Sequence, residues 1–101
     1  MPAYAVTMKH SAVSCPIFNE ETKKKFREGA GKRDEAAKKN KVKVLTACVA
    51  VLEHLVFYVV DAPSQSAVED YLRETGWAFY NEIQIREVQP VEEVVKRFGL
   101  T

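Results

Sequence analysis

Residues 41–62, KVKVLTACVAVLEHLVFYVVDA, limit what this chain can fold into more than any other stretch. Val, Leu, Phe and Tyr dominate it, which suits a pleated, packed surface, and it reads as two strands with a tight reversal near Leu52, Glu53 and His54. The pattern is not one-sided. Val44, Thr46 and Cys48 are expected on one face, with Leu45, Ala47, Val49 and Val51 on the other. In the second run Leu55, Phe57 and Val59 oppose Val56, Tyr58 and Val60. A sheet apolar on both faces needs cover on both. A chain of 101 residues has too few helical segments for that, so a second copy of the chain is expected to supply the other cover.

The rest of the chain frames this pair. Residues 3–10 alternate as a first strand, with Tyr4, Val6, Met8 and His10 on one side. A loop over 11–19 follows, and Cys15 before Pro16 disfavours helix there. Asn19 is a fitting cap, with Glu20 and Glu21 in the first turn of a helix over 20–40. Five acid–base pairs at i,i+4, among them Glu20–Lys24, Glu28–Lys32 and Glu35–Lys39, predict a solvated outer face. Gly29 and Gly31 predict a bend. A second helix, capped by Ser64 or Ser66, carries the stripe Val68, Tyr71 and Leu72 and stops at Gly76. Residues 77–88 supply a fourth strand, strongest over 81–88, and Pro90 opens a short last helix ended by Gly99. The order is β-α-β-β-α-β plus a terminal helix, one α+β domain over 1–101 with sheet order 4-1-3-2 and both main helices on one face. The first and third strands are expected to be parallel neighbours.

Charge excludes some partners. Lys and Arg outnumber Asp and Glu ten to five over residues 20–43, yet acids dominate beyond. The regular acid–base pairing accounts for the basic helix, and LVFYVVDA lacks the glycine of an RNA-binding strand signature, so no nucleic acid is expected. No apolar run approaches the ~20 residues of a membrane span, and Met1 to Met8 lacks the pattern of a leader, so a cytoplasmic location is expected.

The residues His10-Ser11, Cys15-Pro16, Lys41 to Leu45, Glu53-His54 and Val56 to Val60 carry a resemblance. The chain resembles the ferredoxin-like dimeric α/β-barrel superfamily, and within it a family of small proteins of unknown function. The resemblance implies two subunits joined through their sheets. The wider superfamily includes cofactor-independent monooxygenases, lactone isomerases, haem-handling enzymes and small-ligand sensing domains; fold alone transfers none of these.

Candidate chemistry gathers at the end of the first strand. His10, Cys15 and Asp61 are the candidate catalytic groups: a His–Cys pair could make an activated thiolate, and His10 beside Asp61 a general base. Tyr4, Trp77, Tyr80 and Asn81 are the candidate ligand-binding residues. With strands one and three parallel, His10 and His54 would lie roughly 20 Å apart, so no metal and no cofactor are expected. Cys15 is expected to be the reactive thiol and Cys48 an inert, packed one. The leading expectation is a homodimer, joined through the sheet face, that binds a small apolar molecule between sheet and helices. The alternatives are a monooxygenase- or isomerase-like enzyme using His10, and a non-catalytic interaction or sensing module. A cavity opening beside His10 would favour the enzyme, and a closed interior the module.

Overall fold

A computed structural model describes residues 1–100. Four strands, β1 (Ala3–Lys9), β2 (Lys43–Ala50), β3 (Leu55–Asp61) and β4 (Glu82–Val88), form one sheet in the order β2-β3-β1-β4. This is the expected order 4-1-3-2 read from the opposite edge. Every pairing is antiparallel, including β1 with β3. The expected parallel pairing was wrong for a countable reason. The helical crossover from β1 to β2 keeps direction and the tight turn from β2 to β3 reverses it, so β3 must oppose β1.

The helical segment after β1 is two helices, α1 (Glu20–Ala30) and α2 (Arg33–Asn40), divided at Gly31 and Lys32 as the glycines predicted. Asn19 caps α1, its side-chain oxygen accepting the Thr22 N–H at 3.0 Å. Gly29 is required by packing: a Cβ there would stand 1.8 Å from the Thr75 carbonyl oxygen, at the end of α3 (Gln65–Glu74). Ser64 caps α3 by accepting the Ala67 N–H. The i,i+4 ladder is not formed as expected. Lys39 reaches across to Glu74 at 2.6 Å instead, and Asn40 joins it at 2.7 Å, tying α2 to α3.

The core lies between one sheet face and the helices. Tyr4, Val6 and Met8 from β1 and Val56, Tyr58 and Val60 from β3 are buried against Val68, Tyr71 and Leu72 of α3 and Ala36 of α2. Met8 and Val68 are fully enclosed. Each such side chain contributes about 1.5–3 kcal/mol by leaving water.

A register shift between Val44 and Thr46 corrects the expected faces of β2. Val44 pairs with Val60, whereas Thr46 and Cys48 pair with Val59 and Phe57. The bulge puts one extra residue in β2, so Val44 shares the inner face with Ala47 and Val49 rather than with Thr46 and Cys48. The last helix, α4 (Val91–Phe98), has no buried residue. No helix among the described residues is long and apolar enough to cross a membrane.

Candidate functional site

The antiparallel pairing of β1 and β3 brings the end of one strand to the start of the other. The His10 backbone N–H donates to the His54 carbonyl at 3.2 Å, one step beyond the Lys9–Leu55 pair. The two imidazoles therefore meet edge to face, with ring centroids 5.4 Å apart. His54 reaches this position through a left-handed backbone, φ 56°, after a single 3-10 turn at Val51–Glu53. A non-glycine residue held there stores strain of order 1–3 kcal/mol.

The loop before α1 completes the group. The Cys15 carbonyl oxygen accepts the backbone N–H groups of Phe18 and Asn19, and the Asn19 side-chain Nδ2 donates to the Val13 carbonyl at 3.1 Å. This fold of the loop buries Cys15 to 4% exposure. One ring nitrogen from each of His10 and His54 and the Cys15 Sγ all lie within 4.8 Å of one another.

Asn81 fixes the state of His10. Its Nδ2 donates to the Trp77 carbonyl at 3.0 Å, which turns its Oδ1 toward His10 Nδ1 at 2.9 Å. An amide oxygen only accepts, so His10 Nδ1 carries a proton, and in the neutral ring Nε2 is then the nitrogen with the lone pair. His54 Nδ1 is buried with no hydrogen-bond partner.

Beside these groups opens a cavity of about 510 Å³. Ile17, Phe26, Val49, Val56 and Trp77 form its apolar walls, and Lys23 and Arg27 bring positive charge. Tyr80 closes the His10 side, its ring 5.5 Å from the imidazole. Burial pushes the Tyr80 phenol up to about 12, against the pull of the Arg33 guanidinium and the Asn81 hydrogen bond. Tyr80 therefore remains a neutral hydroxyl at physiological pH. Arg33 itself lies over the Phe26 and Trp77 rings at 5.0 and 5.2 Å.

Of the expected site residues, His10, Cys15, Trp77, Tyr80 and Asn81 are brought together. Asp61 is not. It pairs with Ala3 and Lys43 at the far end of the sheet, so the His10–Asp61 base is dissolved by the same reversal that brings His54 in. Tyr4 packs near that far end, opposite Val60, as core. Residues 77–79 form a 3-10 turn rather than strand. Cys48, expected to be packed, is exposed on the outer sheet face, while Cys15 is the buried thiol. His54, Lys23 and Arg27 were missed. Counting chain reversals would have placed His54 beside His10. Nothing in the spacing of the two cations pointed to the cavity. No known protein family matches the chain, and neither does any curated protein.

Proposed function

We propose that this chain is a ferredoxin-like protein of the dimeric α/β-barrel kind that binds a small, largely apolar molecule bearing an acidic group. The observation that carries the reading is the cavity of about 510 Å³, walled by aliphatic and aromatic side chains with Lys23 and Arg27 on its lining. That volume lies within the range of ligand pockets, and a few polar groups in an apolar wall are their usual composition. Arg27 makes no ion pair among the described residues, so its fork is free for a carboxylate. A cavity opening beside His10 also weighs against the closed-interior interaction module.

The second copy belongs to the same reading. Two apolar surfaces of the chain stand exposed. One is the outer sheet face, where Phe57 is 37% exposed; the other is α4, with Val91 and Phe98 at 72% and 61%. A second copy covers both at once in a symmetric pair.

Trp77 is the chain's one tryptophan and stands in the cavity wall, so its fluorescence reports occupancy. A panel of arylalkanoic and branched aliphatic carboxylates should change that emission saturably for some members, with Arg27→Ala weakening the response tenfold or more. Native mass spectrometry of freshly purified protein should show a dimer. A bare monomer with no response to any carboxylate overturns the reading.

A further inference from the structure

We infer that His10, Cys15 and His54 together hold a divalent transition ion of the zinc class, with its remaining position turned toward the cavity. The inference goes beyond ligand binding and does not depend on it, because the three donors belong to the wall whether or not an organic molecule fills the space.

Four observations converge. The first is proximity. Three donors within 4.8 Å of one another, from the end of β1, the loop before α1 and the turn before β3, need only small side-chain movements to reach zinc bonds of about 2.0–2.3 Å. The second is donor chemistry. Two imidazoles and a thiolate suit a borderline-soft ion, and exclude magnesium and calcium, which take oxygen. The third is orientation. The Asn81 oxygen holds the proton on His10 Nδ1 and leaves Nε2 free, which is how an outer partner prepares a histidine for a metal. The fourth is need. His54 Nδ1 is buried without a partner, and a buried unsatisfied nitrogen costs about 1–3 kcal/mol. The strained backbone of His54 adds to that cost. A Cys15–His10 nucleophile dyad explains neither His54 feature.

Three protein ligands leave one tetrahedral position vacant, the arrangement of catalytic rather than structural zinc. The Cys15 Sγ–H proton passes to solvent as the thiolate binds. Lys23 and Arg27 line the same cavity, which favours an anionic group in it.

The test uses the reduced full chain, freed of metal by a chelator and titrated with Co²⁺ and then Zn²⁺. One Co²⁺ per chain should bind, with the intense near-ultraviolet band of a thiolate–cobalt bond, and Zn²⁺ should abolish that band. The decisive variant is His54→Gly, because glycine suits φ 56° and removes the ligand without straining the turn. It should weaken binding at least a hundredfold while keeping the wild-type unfolding midpoint without metal. Asn81→Ala should weaken it about tenfold to a hundredfold. Cys48→Ser should leave the cobalt band intact, and Cys15→Ser should remove it. No saturable Co²⁺ binding by the wild type, or His54→Gly binding as the wild type does, overturns the site. The Trp77 response to carboxylates in metal-free protein separates this result from the fate of the ligand-binding reading.

Discussion

The two faces of the sheet come from the same strands and have opposite fates. On the inner face, Val6, Met8, Val56, Tyr58 and Val60 are closed over by α2 and α3. On the outer face, Phe57, Thr46 and Cys48 stand open, and Val59 and Ala5 are only half-covered. The apolar content of β1 and β3 on the inner face is satisfied within one chain, whereas that of the outer face, and of Val44 and Val49 at the β2 edge, is not. The inner face thus sets the stability of the subunit, and the outer face is the one on which the proposed second copy would act.

Substitution of neighbours on β1 separates the faces most strongly. Met8→Ala leaves a void in the inner core and should lower unfolding free energy by about 2–5 kcal/mol in urea titration. Thr7→Ala, one residue away on the outer face, should shift it by no more than about 0.5 kcal/mol in the separated subunit. Equal losses at both positions would end the distinction between the faces.

Association should respond in the reverse sense. Phe57→Glu puts a charge on the outer face, opposite Cys48 in the β2 register. It should weaken dimerisation at least tenfold, about 1.4 kcal/mol, in light scattering, with the circular dichroism of the subunit unchanged. Cys48 then becomes the probe of cover. Alkylation of Cys48 should be slow in the wild-type dimer and fast in Phe57→Glu, while buried Cys15 stays slow in both. A wild-type chain that labels fast at Cys48 while dimeric would place the second copy elsewhere.

The division of β3 into Val56, Tyr58 and Val60 on one face and Leu55, Phe57 and Val59 on the other was legible, because alternation reports which side chains share a face. The element order, the bend at Gly31 and the Asn19 cap were legible for a similar reason: each is set by residues within a few positions. What failed depended on direction and register. One missed reversal moved His54 from the far end of the sheet to within reach of His10, and exchanged it for Asp61. The bulge at Val44/Thr46 moved Val44 to the other face, and a bulge leaves no periodic signature in a strand apolar on both sides. The candidate site was half legible. His10, Cys15, Trp77, Tyr80 and Asn81 cluster because they flank the end of β1, whereas Lys23 and Arg27 enter through helix packing that no local pattern encodes.

The last expected effect is alkaline and belongs to the inner side alone. Burial raises the Tyr58, Tyr71 and Tyr80 phenols, with Arg33 opposing it in each case. A phenol whose folded value lies above its unfolded value favours the protonated native state. Its contribution is complete below the unfolded value of 10.0 and declines as pH rises toward about 12, because the unfolded chain loses the proton first. Tyr80→Phe should therefore flatten the fall in unfolding free energy between those limits, by no more than about 2 kcal/mol once solvent screening is counted. Below pH 9 the two proteins should respond to pH alike. Lys and Arg titration is common to both and cancels in the comparison. A wild-type curve as flat as that of Tyr80→Phe would mean that water reaches the Tyr80 hydroxyl, and that the cavity beside His10 is wetter than its walls suggest.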